Sequence, residues 1–277
     1  MTSIRPAAVA GSFYPASAAE LSELLDHCFG ESPLGPHGVF TPDSELIAGM
    51  VPHADPIYSG PCAAHLYTRL DPSVENVILL GVNHRARGHR AALSPWESWR
   101  TPLGEIAVDE ELNRLLEERV KFLKHEPHAH ADEHSIEVQL PFLQRTLGQF
   151  TFAPISLAHI SPAQCAELGE AIAACCQRRA KTLILASSDL SHYLPPKETD
   201  ALDRLAVDQV VAMNPHGLLQ ITEAKNITMC GVIPTAVMLH AANALGVKRA
   251  TLLKHCHSGD VAPMRQVVGY ASIALSI

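Results

Sequence analysis

Apolar residues form short continuous runs in some segments of this chain and recur every three to four positions in the segments between them. This pattern predicts alternating strands and helices. Buried or edge strands are predicted over 46–51, 76–82, 151–156, 182–186, 250–256 and 267–275. Helices are predicted over 17–29, 61–70, 109–120, 133–147, 162–178, 201–213 and 230–245. Pro141 is expected to kink the helix over 133–147 or to start a second segment, and Ser161 is a candidate N-cap. We therefore predict a single α/β domain over residues 1–277, with a mixed, largely parallel β-sheet flanked by helices.

Three of the predicted strands run directly into polar side chains. The strand over 46–51 leads to His53, the strand over 76–82 leads to His84, and the strand over 182–186 leads to Asp189 and His192. Ligands of open α/β sheets bind outside the carboxyl ends of the strands. If these strands are parallel neighbours, one crevice receives all four side chains.

Two imidazoles on a rigid sheet edge suit iron(II), zinc or copper, and they leave room for a third ligand. Asp189, a glutamate or a cysteine thiolate could supply it, and the spacing alone does not choose among them.

The remaining histidines divide into groups with different expectations. His128 and His130 are interpreted as part of a solvated loop, whereas His134 at a predicted helix start could donate to a substrate. His255 and His257 fall on one side of a strand end that enters a glycine turn, and we favour this structural interpretation over a second metal site.

Composition and charge narrow the class of protein. The chain of 277 residues is 47% hydrophobic and 18% charged, with a net charge of −8 and no long run of like charges, which argues against nucleic-acid binding through a basic face. Without an apolar run near the ~20 residues that cross a bilayer, and without a signal-like start, the chain is expected to be cytoplasmic with no membrane partner. The seven scattered cysteines form no C-x-x-C pair and do not indicate a disulfide framework.

Several common catalytic motifs are missing from the sequence. It contains neither the G-x-S-x-G of α/β-hydrolases, nor a P-loop, nor a G-x-G-x-x-G after a strand. The H-A-H-A-D-E-H segment also differs from the H-E-x-x-H of zincins.

The order of the sequence segments resembles that of a known family. The segments are R-P-A-A-V-A-G-S-F-Y-P (5–15), V-P-H-A-x-x-I-Y-S-G (51–60), L-G-V-N-H (80–84), D-E-H-S-I-E-V-Q-L-P (132–141), S-S-D-L-S-H (187–192), M-C-G (229–231), S-G-D (258–260) and V-V-G-Y-A-S (267–272). Together they resemble the Memo-like family, in prokaryotes often called AmmeMemoRadiSam system protein B, over nearly the whole chain. The resemblance implies a three-layer fold like that of the class III extradiol ring-cleaving dioxygenases.

The resemblance also implies a site. His53, His84 and Cys230 match the positions that bind a metal in the family, and this match selects Cys230 among the cysteines. His134, Asp189 and His192 match the other pocket groups, with His192 or His134 expected as general acid or base and Asp189 expected to orient one of them.

The function implied is a non-haem iron(II) oxygenase or related oxidoreductase acting on a small aromatic or heterocyclic substrate, with copper or zinc as alternative metals. A non-catalytic binding module for signalling, or a metal-assisted hydrolase, are the rival hypotheses. In prokaryotes the family often neighbours an AMMECR-type domain and a radical-SAM protein, which are the expected pathway partners. One segment departs from the family pattern, since Asp55-Pro56 stands where the family usually has Gly-Tyr. Asp55 could therefore change substrate choice or approach the metal.

Overall fold

The structure is a computed structural model that describes residues 3–179 and 181–277. Its strands are β1 (Ile4–Arg5), β2 (Leu46–Val51), β3 (Asn76–Val82), β4 (Ala91–Leu93), β5 (Ser98–Thr101), β6 (Gly104–Val108), β7 (Lys124–His125), β8 (Thr151–Leu157), β9 (Thr182–Ser187), β10 (His192–Leu194), β11 (Arg249–His257) and β12 (Val267–Ser276). Its α-helices are α1 (Ala18–Asp26), α2 (Pro56–Tyr67), α3 (Glu110–Arg119), α4 (Leu140–Leu147), α5 (Pro162–Cys176), α6 (Pro196–Val211), α7 (Pro215–Ala224), α8 (Val232–Ala244) and α9 (Ser258–Val261). A π-helical turn follows α1 at His27–Glu31, and a 3-10 turn precedes α4 at Glu137–Gln139. Across both described ranges, each helix is too short or too polar to cross a bilayer.

The strands pair into one mixed sheet with a parallel centre. The order along its main path is β1-β5-β6-β8-β3-β9-β2-β12-β10, and β11 pairs with β12. The neighbours β8, β3, β9 and β2 are parallel, whereas β12 runs antiparallel to β2. The predicted mixed, largely parallel α/β sheet is therefore confirmed, and the carboxyl ends of β2, β3 and β9 lie side by side at one edge.

Helices cover both faces of this sheet. Side chains on each strand alternate between the two faces, so one strand contributes to the core on each side. In β3, Ile78 and Leu80 join the hydrophobic core that also contains residues of α3, α5 and α8. The intervening Val77 and Leu79 join the core that contains residues of α1, α2 and α4. The helix–sheet–helix arrangement is the three-layer fold that the resemblance implied.

The sequence pattern predicted the central elements better than the connections between them. Strands β2 and β3 have the predicted bounds, and Ser161 caps α5 by accepting the backbone N–H of Gln164. Helices α2 and α6 begin earlier than predicted, each with a proline in its first turn, where a missing N–H costs no helical hydrogen bond. The short strands between 91 and 108 and the helix α7 were not predicted, since runs of three to five residues carry little periodic signal.

The predicted helix over 133–147 is wrong in its first part. The α-helix begins at Leu140, with Pro141 in its first turn, as the alternative of a second segment anticipated. Before it, the Glu133 carboxylate accepts the backbone N–H groups of His134 and Ser135 at 2.9 Å each. These side-chain bonds compete with helical hydrogen bonds, so His134 sits on a turn ahead of the helix.

Candidate metal centre

Three adjacent strand ends deliver side chains to one point at the carboxyl edge of the sheet. His53 follows β2 and is buried, His84 follows β3 and is partly exposed, and Asp189 follows β9 and is buried. Cys230 arrives from the connection before α8, and His134 arrives from the turn before α4. The structure thus brings together side chains that lie far apart in the sequence.

The potential donor atoms of these residues form two overlapping groups. One group contains His53, His84 and His134, and the other contains His53, Asp189 and Cys230, with all donor atoms in a group within 4.8 Å of one another. His53 belongs to both groups, and its Nε2 lies 3.1 Å from Sγ of Cys230. A single ion held by His53, His84 and Cys230 would therefore draw ligands from both groups.

The tautomer of His53 follows from its hydrogen-bond partners. The hydroxyl of Ser187 donates its one proton to the carbonyl oxygen of Ser135 at 2.6 Å, so its oxygen must accept from Nδ1 of His53 at 2.9 Å. Gln139 donates a second hydrogen bond to the same hydroxyl at 2.8 Å. Burial and the neighbouring histidines also hold the pKa of His53 well below its usual range, so the ring is neutral. Its Nε2 is consequently unprotonated and available as a ligand.

His84 is oriented in the same way by a carboxylate. Glu133 Oε1 accepts from Nδ1 of His84 at 2.9 Å, and Oε2 accepts the backbone N–H of His84 at 2.9 Å. Because an ionised carboxylate only accepts, Nδ1 of His84 carries a proton, and in the neutral tautomer this leaves Nε2 as the acceptor. A histidine held by a carboxylate in this manner is a recurring arrangement at metal sites.

The ring of His134 packs between the rings of His84 and Phe13. Its ring centroid lies 4.6 Å from that of His84 with nearly parallel planes, and 4.4 Å from that of Phe13. Burial lowers the pKa of His134 to about 4, although the Glu133 carboxylate acts in the opposite direction. His134 is therefore neutral near pH 7.

The carboxylate of Asp189 contacts backbone groups rather than an imidazole. Its Oδ1 accepts the N–H groups of His53 at 2.7 Å and Ala54 at 3.2 Å, and burial raises its pKa despite these bonds. Among the described residues Asp189 forms no hydrogen bond to the ring of His134 or His192, and its expected orienting role stays a prediction. Nδ1 of His134 lies 3.3 Å from Oε1 of Glu133. Nδ1 of His192 donates to the carbonyl oxygens of Leu190 at 2.8 Å and Thr228 at 2.9 Å.

The thiol of Cys230 is enclosed by backbone and by Asp189. Burial raises the pKa of this thiol well above its usual range, and the charge of Asp189 adds to the effect. A Cβ placed on Gly231 would lie 2.4 Å from Cβ of Ser188 and 2.5 Å from the carbonyl oxygen of Ser187. Glycine after Cys230 is therefore what lets this connection approach the end of β9.

A cavity of about 530 Å³ opens above these groups. Its lining includes four histidines and Asp189, namely His53, His84, His134, Asp189 and His192. It also includes the aromatic residues Phe13, Tyr58, Tyr193 and Tyr270 and the acidic residue Asp55. A cavity of this size suits a small molecule.

Three residues that support the site carried no functional prediction. Glu133, Ser187 and Gln139 fix the histidine rings. Glu133 directly precedes His134 in the D-E-H segment, and Ser187 lies two residues before Asp189 in the S-S-D segment. A carboxylate next to a histidine in such a segment was the available signal for Glu133.

Other histidines lie outside the centre. The solvated-loop interpretation suits the exposed His128 but is wrong for His130, which is fully buried with its Nε2 3.1 Å from the carbonyl oxygen of Ala92. At the C-terminal strand end, His255 pairs with the buried Asp203 at 3.1 Å, and the backbone N–H of His257 donates to Asp260.

The fold and site define an α/β protein with a pocket of histidines, a cysteine and an aspartate at the carboxyl edge of its sheet. Sequence comparison names the family: the Memo-like protein model matches residues 5–274, and the chain belongs to that family. It is 40% identical to a MEMO1 family protein of Methanopyrus kandleri, covering 97% of this chain and 98% of the relative. A MEMO1 family protein of Ignicoccus hospitalis is 38% identical, covering 98% of both chains.

Among solved structures, the fold is similar to that of an uncharacterized protein from Escherichia coli K12. The TM-score is 0.55, and the match covers 83% of this chain and 100% of the other. With 14% sequence identity, this similarity bears on the fold alone.

Proposed function

We propose that this chain is a metal-dependent oxidoreductase that holds one non-haem iron(II) ion with His53, His84 and Cys230 and acts on a small aromatic or heterocyclic substrate. The observation that carries this proposal is the proximity of the unprotonated Nε2 of His53 to Sγ of Cys230, 3.1 Å away, beside the cavity that His53 lines. Two neutral imidazoles and a thiolate are borderline and soft donors that suit iron(II), zinc or copper.

The hydrogen-bond partners of the two histidines leave a nitrogen of each for such an ion. Both ligand histidines have Nδ1 committed to an acceptor, which leaves Nε2 for the metal. The thiol of Cys230 has a raised pKa in this buried setting, and a cation beside it favours the thiolate. Three protein ligands leave open positions, at which bound iron(II) would supply sites for dioxygen and substrate.

The remaining polar groups of the cavity are placed to handle protons. In its neutral form His192 has an unprotonated Nε2, because Nδ1 donates to two carbonyl groups, and it can accept a proton from a substrate hydroxyl. His134, neutral with a pKa of about 4, offers a hydrogen-bonding nitrogen beside His53, and its ring is held between those of Phe13 and His84. Asp189 holds the backbone of His53 in place.

Anaerobic reconstitution with iron(II) tests the proposal. We expect about one ion per chain in the wild type and at least a roughly tenfold loss of affinity in Cys230→Ser, within the range that ligand-shell changes cause. Cys176→Ser, at a half-buried cysteine on α5, is the matched control and should bind iron(II) as the wild type does.

Oxygen uptake with a panel of catechol-like and heterocyclic compounds then tests the reaction. A wild type that takes up no metal, or a Cys230→Ser variant with unchanged affinity, would overturn the proposal.

Metal-assisted hydrolysis is the second candidate, because His53, His84 and His134 bring three imidazoles together, with donor atoms within 4.8 Å of one another. Zinc held by three histidines activates water in known hydrolytic and hydration sites. Activity with zinc in the absence of oxygen, lost in His134→Ala, would favour hydrolysis. Metal binding with no turnover in either assay would favour a non-catalytic binding module.

A further inference from the structure

The carboxylate of Asp55 is an unpaired acceptor in the wall of the cavity. Asp55 precedes α2 and is partly buried, yet its side chain makes no capping bond to the helix. In the part of the chain that the structure describes, no hydrogen bond or ion pair to this carboxylate from another residue is formed. The second carboxylate of the cavity, Asp189, is by contrast bonded to two backbone N–H groups.

The described lining of the cavity offers no lysine or arginine to pair with Asp55. A carboxylate that has no protein partner favours a cationic group or a strong hydrogen-bond donor on a ligand.

Aromatic residues line the same cavity as this carboxylate. Tyr58 lies one turn after Asp55 on the same side of α2, and Tyr193 and Tyr270 line the cavity with it. Aromatic faces attract ammonium groups, and they also pack against aromatic ligands. A carboxylate among tyrosines is thus suited to a protonated amine carried on an aromatic body.

The position of Asp55 also fixes where such an amine would lie. Asp55 is two residues after His53, so their Cα atoms are at most about 7 Å apart. One aromatic ring with a short side chain can bridge that distance, with the ring toward His53 and the amine toward Asp55.

We propose that the substrate of this site is a small aromatic amine whose ammonium group pairs with Asp55. This inference names a substrate class for the proposed function and rests on it. Asp55 acts here as a specificity determinant, since its charge selects the ligand and takes no part in the reaction.

Binding calorimetry with three probes of similar shape tests the inference, using the protein as purified. The probes are 2-phenylethylamine, the neutral 2-phenylethanol and the anionic 3-phenylpropanoate. We expect the wild type to bind the amine about tenfold more tightly than the alcohol, which corresponds to about 1.4 kcal/mol. Asp55→Asn, which keeps the shape and removes the charge, should lose this preference, and Asp55→Lys should transfer it to the carboxylate probe.

Asp200→Asn is the matched control, because Asp200 is an exposed aspartate on α6 outside this cavity, and it should keep the amine preference. A wild type that binds the amine no more tightly than the alcohol, or an Asp55→Asn variant that keeps the preference, overturns the inference. Metal content of the same preparations separates the two proposals. Bound metal without amine preference contradicts only the substrate class, whereas amine preference without metal uptake contradicts the proposed function.

Discussion

The carboxylate of Glu133 holds His84 at two points, through Nδ1 of the ring and through the backbone N–H, each at 2.9 Å. Burial alone would raise the pKa of Glu133, but the hydrogen bond from His84, the charges of His84 and His134 and the N–H of Ser135 outweigh it and lower the pKa to about 2. The group that orients a candidate metal ligand is therefore also a group whose ionisation stabilises the fold.

Glu133→Gln should accordingly make the free energy of unfolding less dependent on pH. A carboxyl group with an unfolded pKa near 4.5 and a folded pKa of about 2 contributes stability that is complete above pH 4.5 and is lost as the pH falls toward 2. The difference amounts to about 3 kcal/mol. Urea unfolding of the wild type and of Glu133→Gln between pH 7 and 3 should show a difference in unfolding free energy that becomes smaller as the pH falls.

The exposed Glu167 on α5 provides the control for this measurement. Glu167→Gln should differ little from the wild type at every pH, because an exposed carboxyl group has nearly the same surroundings in both states. A gap for Glu133→Gln that stays constant from pH 7 to 3 would show that its ionisation is not linked to folding.

The sequence predicted the edge of the sheet at which the site lies, for a physical reason. Strands that are buried on both faces read as continuous apolar runs, so the polar residues after them mark where each strand ends. His53, His84 and Asp189 were found in this way, and the parallel pairing of β2, β9 and β3 brings their ends together.

The rest of the site depends on contacts that periodicity does not encode. Cys230 is one of seven cysteines, and only resemblance to a family selected it. His130 looked like a loop residue, but Arg5, from the far end of the chain, binds its carbonyl oxygen at 2.7 Å and the segment is buried. Long-range pairing of this kind leaves no local pattern in the sequence.

The buried pair of Arg5 and Glu137 should be strongly coupled in stability. Both side chains are fully buried, with Nη1 of Arg5 at 2.5 Å from Oε2 of Glu137, and Tyr14 donates to the same carboxylate at 2.6 Å. Arg5→Met leaves an uncompensated buried charge and should lower the free energy of unfolding by about 3–5 kcal/mol. Arg5→Met with Glu137→Gln should cost less than the sum of the single changes, measured by denaturant unfolding. Additive costs would contradict the coupling.

Gly231→Ala should disturb the candidate metal centre through the backbone. The new Cβ would meet Ser188 Cβ at 2.4 Å and the carbonyl oxygen of Ser187 at 2.5 Å, so the connection that carries Cys230 must move. We expect a loss of about 1–3 kcal/mol in unfolding free energy and weaker metal binding. Gly30→Ala is the control, since a Cβ there has no neighbour within 4 Å. Equal metal affinity in Gly231→Ala and wild type would show that this close approach does not position Cys230.

Tyr193, in the wall of the cavity, has a strained backbone conformation. It has φ of +59° at an irregularity in the pairing of β10 with β12, and it is 69% exposed while its ring lines the cavity. This conformation costs a bulky residue about 1–2 kcal/mol, and asparagine tolerates it better. Tyr193→Asn should therefore raise the unfolding free energy by about 1 kcal/mol while weakening the binding of 2-phenylethylamine, because an aromatic wall is removed. His37→Asn, at an exposed position with φ of +55°, should not weaken amine binding. A Tyr193→Asn variant that is less stable than the wild type, or that binds the amine as tightly, would mean that the strain is not maintained for the ligand.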